Sequence, residues 1–231
     1  MNKTFVIEGG SQEYAPYLMG VYALRHKIFC EQKAWVPANT AMQDIDAYDR
    51  LNTVYFVHLD DVGEVDGCCR IVPTTGPNML RDIFPELMGN QPVPCAQTMW
   101  EISRFTVDTE RLNDSYATIS DVTSELLITL FTYALEKGMS RIVAVTDTAF
   151  ERVLRRAGLY TTRYAPPRKY HNCEAVAGYA VVNEETIQLL KERRDKNLSR
   201  NFMPYEQEII PSDRLDLKSE ASPKQEVEHT I

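Results

Sequence analysis

Short apolar stretches of strand length alternate along this chain with amphipathic helical stretches, a pattern that predicts an α/β or α+β sandwich built around one sheet. Two observations carry that reading. Between Asp114 and Lys137, Val122, Leu126, Leu130 and Ala134 lie four apart with Leu127 and Phe131 beside them, the single apolar stripe of a long helix. Around it stand runs such as TVYFVHL (53–59), GCCRIVPT (67–74) and RIVAVT (141–146), rich in β-branched and aromatic residues and bounded by turn formers. With 231 residues, 44% of them hydrophobic, the chain is long enough to bury one sizeable core.

Each element can be justified in order. Thr4 to Glu8 is a short apolar strand, and Leu18, Val21, Tyr22, Arg25 and Phe29 recur at helical spacing between Tyr14 and Phe29. A polar and aromatic segment covers 30–52. The strands 53–59 and 67–74 are joined by the turn-like DDVGEVD, PNMLRDIFPEL reads as a short helix, and TMWEISRFTV as the next strand. Gly138 is placed to end the long helix, RIVAVT follows as a buried strand, Gly158 stops the helix AFERVLRRAG, and EAVAGYAVV is a late strand. Beyond about Arg193 the pattern thins. From Met203 to Ile231 there are seven acids against three Lys/Arg, so residues 1–195 are expected to form one domain and 196–231 a loosely ordered C-terminal extension.

Composition excludes several classes. A formal net charge of −8 gives no basic footprint for nucleic acid. No stretch of about 18 apolar residues is present for a membrane span, and the N-terminus lacks a cationic start followed by an apolar run, so a cytoplasmic protein is expected. Cys30, Cys68, Cys69, Cys95 and Cys173 show no CxxC spacing, and His26, His58, His171 and His229 lack ligand spacing. Neither a disulfide framework, a metal nor a prosthetic group is implied.

Two polar clusters stand out. Asp44, Asp46 and Asp49 crowd into DIDAYDR; such acids most often line a solvated loop, the alternative being a wall that binds a cation. Arg70 sits among apolar neighbours in one strand, and Glu101 and Arg104 are embedded in MWEISRFTV. An unpaired buried charge is costly, so partners must exist. In a regular strand, residues three apart point to opposite faces; Glu101 and Arg104 converge only if the strand is bulged.

Taken in order, Arg25-x3-Phe29-x5-Trp35, Asp44-x-Asp46-x2-Asp49, Arg70 before PTTGPNML, Phe84, and WEISRF with Glu101 and Arg104 resemble the acyl-homoserine-lactone synthases, the LuxI-type autoinducer synthases of bacterial quorum sensing. The resemblance covers about residues 20–182. It departs at Gln32-Lys33-Ala34-Trp35, where the family often has Arg-Leu-x-Trp, and at Asp44, where the family has Glu. It implies a GNAT-like three-layer α-β-α sandwich around one mixed, mostly antiparallel sheet. It also implies transfer of an acyl group from acyl-carrier protein to the amine of S-adenosylmethionine, a co-substrate, followed by lactonisation and release of methylthioadenosine. Acyl-CoA is the other possible donor, and a monomer is expected.

The site residues follow from the matched motifs. Arg25, Phe29, Trp35, Asp46, Asp49, Arg70, Arg104 and Phe105 are expected around S-adenosylmethionine, whose two cationic groups and one carboxylate call for acids, an arginine and an aromatic surface. Glu101, Arg104, Arg70, Asp46 and Asp49 are the catalytic candidates, Glu101 acting as a base through a water. Met79, Leu80, Phe84, Phe105, Leu126, Val145 and Thr146 are candidates for the acyl-chain pocket. Arg152, Arg155 and Arg156 open a run to Lys169 with six basic side chains and no acid, a candidate docking face for an acidic carrier protein. No glycine occurs between Gly89 and Gly138, which disfavours a pyrophosphate-cradling loop for CoA. The residues alone also leave open an acyl-CoA-dependent N-acyltransferase on another amine, and a non-catalytic acyl-binding regulatory module.

Overall fold

The computed structural model describes residues 4–9, 12–50, 52–110, 120–170 and 173–201. One sheet organises them. Its strands are β1 (Thr4–Glu8), β2 (Val54–Leu59), β3 (Val65–Pro73), β4 (Met99–Val107), β5 (Arg141–Asp147), β6 (Thr162–Arg163), β7 (Arg168–Tyr170) and β8 (Cys173–Val181). The order is β1-β2-β3-β4-β5-β8-β6, with β7 also pairing β8. Among the described residues only β4 and β5 pair in parallel, and the crossover that parallel pairing requires is supplied by the 33 residues between them, including α3 (Asp121–Glu136).

Alternation along the strands sends side chains to two different layers. Tyr55, Val57 and Cys68 pack with Ile7 under α1 (Ala15–Arg25), through Val21 and Leu24. Val54, Phe56, Cys69 and Ile71 point the other way, into a core with Leu126, Leu127, Leu130 and Phe131 of α3 and Leu154 of α4 (Thr148–Arg156). A smaller cluster on the α1 side joins Leu80 of α2 (Met79–Asp82), Leu87 and Met88 to Val143, Ala175 and Ala177. Helix, sheet and helix form three layers around a mixed, mostly antiparallel sheet, as expected.

Local boundaries refine the sequence reading. The first helix does not run uniformly to Phe29: after Arg25 it widens into a π-helix, His26–Gln32, which lodges Ile28, Phe29 and Cys30 in the interior. The long helix begins at Asp121, capped by the Ser120 side chain accepting from Thr123 N; the expected stretch 114–119 lies outside the described residues. Gly138 and Gly158 adopt left-handed φ values of 69° and 93° after α3 and α4, the conformation that ends a helix most cheaply in glycine.

The edge strands β6 and β7, and α5 (Glu184–Asn201), were not legible beforehand. Asn183 starts α5 by accepting from Thr186 N, and Ile187 and Leu190 bury the inward face; the helix then runs without a break across position 195. Residues 202–231, most of the expected extension, lie outside the described residues. Among the described residues, no helix is long and apolar enough to cross a membrane.

Candidate active site

On the α1 side of the sheet the three aspartates meet three arginines. Arg25 ends α1, Arg70 projects from β3 and Arg104 from β4, while Asp44, Asp46 and Asp49 come from the segment after the π-helix. Arg25 Nε donates to Asp44 Oδ2 at 3.1 Å, and its Nη1 and Nη2 donate to the two oxygens of Asp49 at 2.9 and 3.1 Å. Arg70 Nη1 reaches Asp46 and Asp49 at 2.6 and 2.7 Å, its Nη2 reaches the second Asp46 oxygen at 2.7 Å, and its Nε donates to Ser103 Oγ at 2.9 Å. Arg104 completes the set with Asp44 at 2.7 Å and Asp46 at 3.1 Å. The acids are therefore not a solvated loop: their cations are the protein's own guanidiniums.

Local hydrogen bonds fix the aspartates as well as the arginines do. Asp49 Oδ2 accepts from Asp46 N at 2.8 Å, Asp46 Oδ1 accepts from Tyr48 N at 2.9 Å, and Asp49 N donates back to Asp46 O, a tight side-chain-closed turn. Tyr55 Oη adds a donor to Asp49 at 2.9 Å. Burial by itself would raise the Asp49 carboxyl, but the hydrogen bond and charge of Arg25, joined by Arg70, hold it at about 2. Asp44 is likewise lowered: burial opposes ionisation, and Arg104 and Arg25 outweigh it.

The network has an inside and an outside. Arg25 and Arg70 are 1% and 0% exposed, and the Asp44 and Asp49 side chains are equally enclosed. Arg104 and Asp46 form the open rim, at 12% and 20% side-chain exposure. Three positive and three negative groups balance, which is what permits so many charges below the surface.

The bulge that the spacing of Glu101 and Arg104 called for is present. Arg70 pairs with Ser103 and Cys68 with Thr106, so Arg104 and Phe105 together stand opposite Cys69. Arg104 takes φ 55°, unusual for a residue with a Cβ and costing on the order of 1–3 kcal/mol. The extra residue changes the alternation. Trp100 and Ile102 pack toward α3 before it, and Phe105 and Val107 do so after it, while Glu101, Ser103 and Arg104 all serve the other face.

Glu101 is 1% exposed and accepts from Met79 N at 2.7 Å and Leu80 N at 2.6 Å. Burial raises its carboxyl to about 7, against the two amide donors and Arg70, which favour the ionised form. By gripping the start of α2 it also places the Met79 thioether 3.9 Å from Arg70 Nη2 and 3.8 Å from Arg104 Nη1. Asp46, Arg70 and Glu101 thus belong to one locality. Above it, Phe29 and Trp35 stack with centroids 6.1 Å apart, Arg104 lies 5.2 Å from the Phe29 centroid, and Lys33 lies 4.3 Å from that of Trp35. Trp35 is 55% exposed.

Beside this site β4 and β5 separate. Their pairing ends at Ile102–Ala144, although β4 continues to Val107 and β5 to Asp147. Ile102 to Phe105 and Ala144 to Asp147 are only half-buried in the middle of an eight-stranded sheet, whereas β3 next to them is buried from Val65 to Val72. A cleft therefore opens between the two strands.

The acyl-pocket candidates straddle it. Leu80, Phe84 and Val145 lie in the cluster on the ionic side, with Met79 at the arginines, while Phe105 and Leu126 lie on the α3 side. Thr146 alternates with Val145 and so faces the α3 side. Arg152, Arg155 and Arg156 are exposed on α4. Farther along the same basic run, Arg163 is engaged by Glu151. That acid sits one residue before the run. Sequence reasoning missed Ser103 and Tyr55, whose only signal is their place on strands flanking the charged residues. A groove of about 430 Å³ between β1, α3 and α5 contains none of these candidates.

Comparison with known proteins places this geometry in context. Residues 11–190 match the autoinducer synthase family. An acyl-homoserine-lactone synthase from Pseudomonas aeruginosa is 35% identical over 181 residues, 77% of this chain and 89% of that one. Among solved structures, the CoA-dependent acyl-homoserine lactone synthase BjaI with SAM and isopentyl-CoA superposes with TM-score 0.75 at 25% identity, covering 84% of this chain and 89% of that one. TofI in a ternary complex with an inhibitor and MTA gives 0.70 at 28% identity, over 82% and 96%. With most of its length matched, and with the acidic triplet, Arg70 and the bulged WEISRF strand gathered in one place, this chain belongs to the autoinducer synthase family of acyl-homoserine-lactone synthases and is an acyltransferase.

Proposed function

We propose that the chain makes an acyl-homoserine lactone from S-adenosylmethionine and an acyl-carrier-protein thioester. The observation that carries this is the rim of the ionic network beside the cleft: Asp46 and Arg104, the two exposed members, are a carboxylate and a guanidinium side by side. A zwitterionic, cationic amino acid presents complementary groups. Asp46 takes the cationic portion, Arg104 orients the carboxylate, and the Phe29–Trp35 pair offers a stacking face for the nucleoside. Arg25, Arg70, Asp44 and Asp49 position those two from beneath. BjaI with SAM, and TofI with MTA, supply the precedent for this substrate.

The amine attacks as the free base. An α-amino group titrates near about 7.7–8.0, so a modest base suffices, and Glu101 at about 7 is matched to it. Its two oxygens each accept one amide hydrogen and keep a further lone pair for a bridging water. The nitrogen bonds to the thioester carbonyl carbon, the C–S bond breaks, and the proton released from nitrogen passes to the departing thiolate. The bulge at Arg104–Phe105 interrupts the regular ladder in the strand beside the cleft, and a backbone N–H at this break is the donor we assign to the oxyanion. In the second step the carboxylate oxygen bonds to the carbon bearing the sulfonium, and that C–S bond breaks to release neutral methylthioadenosine. Holding the carboxylate close is the protein's contribution there.

Two features favour a carrier protein over CoA. The α3 N-terminus, where an anion would otherwise dock, is capped by Ser120 and carries Asp121 in its first turn. The exposed Arg152, Arg155 and Arg156 suit an acidic partner. The test supplies purified protein with S-adenosylmethionine and matched acyl-carrier-protein and acyl-CoA donors, with products identified by mass spectrometry. Lactone and methylthioadenosine in equal amounts, formed faster from the carrier protein, are expected. Faster use of acyl-CoA, as BjaI's CoA dependence exemplifies, overturns the donor assignment; a linear amide without methylthioadenosine overturns the synthase reading.

A further inference from the structure

Across the cleft between β4 and β5 two aromatic rings meet. Phe105 follows the bulge on β4, beyond the last β4–β5 pair, and faces α3. Phe150 lies in the first turn of α4, which begins as soon as β5 ends; its amide is fixed by the Asp147 side chain at 2.6 Å. The ring centroids are 5.4 Å apart and tilted by 48°, a favourable contact distance for an aromatic pair. The separated strands are thus bridged by side chains at the place where main-chain pairing has stopped.

Phe150 differs from the core it borders. Leu126, Leu130 and Phe131 are wholly enclosed, whereas Phe150 and Phe105 are half-buried and pack against that core from its edge. They form the wall of an opening. The basic side chains Arg152, Arg155 and Arg156 follow on the same helix, so the ring also lies close in sequence to the candidate docking face.

We propose that Phe150 is a specificity-determining residue that limits acyl length: with Phe105 it stops the cleft on the α3 side and favours short acyl groups over long ones. This rests on the reading above, in which the acyl chain enters between β4 and β5. A short chain ends before the ring pair and leaves it closed. A longer chain must push Phe150 aside, losing the ring contact and disturbing Leu154 and the start of α4. Each methylene that fits or fails to fit a hydrophobic pocket changes kcat/KM by about tenfold or more, so one ring at the end of the channel is enough to set a preference.

The test measures kcat/KM for straight saturated acyl-carrier-protein thioesters from butanoyl to dodecanoyl, with methylthioadenosine release as readout, in the full chain and in Phe150→Ala, Phe150→Leu and Phe150→Trp. The ratio of long- to short-chain kcat/KM is unaffected by loss of folded protein. It is expected to rise about tenfold in Phe150→Ala, less in Phe150→Leu, and to fall in Phe150→Trp. An unchanged ratio in all three, with methylthioadenosine still released, overturns the length assignment alone. No methylthioadenosine from the unaltered protein with any donor removes the synthase reading and this proposal with it.

Discussion

The two faces of β3 are drawn from alternate residues of one strand, yet they hold the molecule together in different ways. Cys69 and Ile71 enter an apolar core under α3, where stability comes from area removed from water and from close packing. Arg70, between them, enters the aspartate–arginine network, where each charge is tolerated because its partners are complete. The difference is one of failure. An apolar side loses stability in proportion to what is cut away, whereas the ionic side loses far more when a single partner leaves an opposite charge buried and unpaired.

The strongest way to break that contrast is Arg70→Ala. It strips both Asp46 and Asp49 of a guanidinium and is expected to cost about 3–5 kcal/mol together with almost all turnover, read by chemical unfolding and by methylthioadenosine release. Retained stability would mean that the network is far more solvated than its geometry shows. On the apolar side, Leu130→Ala should cost about 2–5 kcal/mol while the protein that remains folded keeps its kcat. A proportional loss of kcat would show that the two faces are coupled.

Glu101→Gln keeps the shape of the side chain and is expected to lower kcat by about 10²–10⁴-fold, with nucleoside binding spared in calorimetry. In the unaltered protein kcat/KM should rise with pH through about 7, the pH at which Glu101 ionises, and in the variant that rise should be replaced by one set by the substrate amine alone, near about 7.7–8.0. An unchanged rate in Glu101→Gln removes its role as base. Stability sharpens the same comparison from two directions. Glu101 binds its proton more tightly folded than unfolded, so its contribution is full below pH 4.5 and is lost as pH rises through about 7. Asp49 is depressed to about 2 from 3.8, so its contribution is present above 3.8 and is lost as pH falls through 2. Urea midpoints against pH should show both declines, and Glu101→Gln should abolish only the neutral one.

The smallest effect belongs to the surface. Arg155→Glu on α4 should raise KM for an acyl-carrier protein by about tenfold or less at low salt, with the difference disappearing as salt is added. Parallel loss with a small acyl thioester would detach this patch from docking.

Much of this architecture was legible because its signals are local. The four-residue repeat from Val122 to Ala134 predicts α3, and Gly138 and Gly158 mark helix ends. The two embedded charges of WEISRF predict a bulge, because alternation alone cannot bring Glu101 and Arg104 to one face. What was hidden depends on distant partners. Nothing in DIDAYDR says that Arg25, Arg70 and Arg104 will converge on it; that follows from the positions of α1, β3 and β4. The π-helix after Arg25 has no composition of its own. Helix α5 is mostly polar, and its start is marked chiefly by Asn183 and two acids. The acyl candidates spread over both faces because a list of apolar residues carries no information about which side of the sheet each will reach.

The extra residue at Arg104–Phe105 has a genetic corollary. It works as a phase shift within one strand: upstream, odd-numbered positions serve the ions, and downstream the odd positions Phe105 and Val107 serve the apolar core. Deleting the Arg104 codon would restore plain alternation, keeping Phe105 and Val107 toward the core but removing the third guanidinium, and deleting the Phe105 codon would swing Arg104 toward that core, so the site owes one of its charges to this strand being one residue longer than its partner requires.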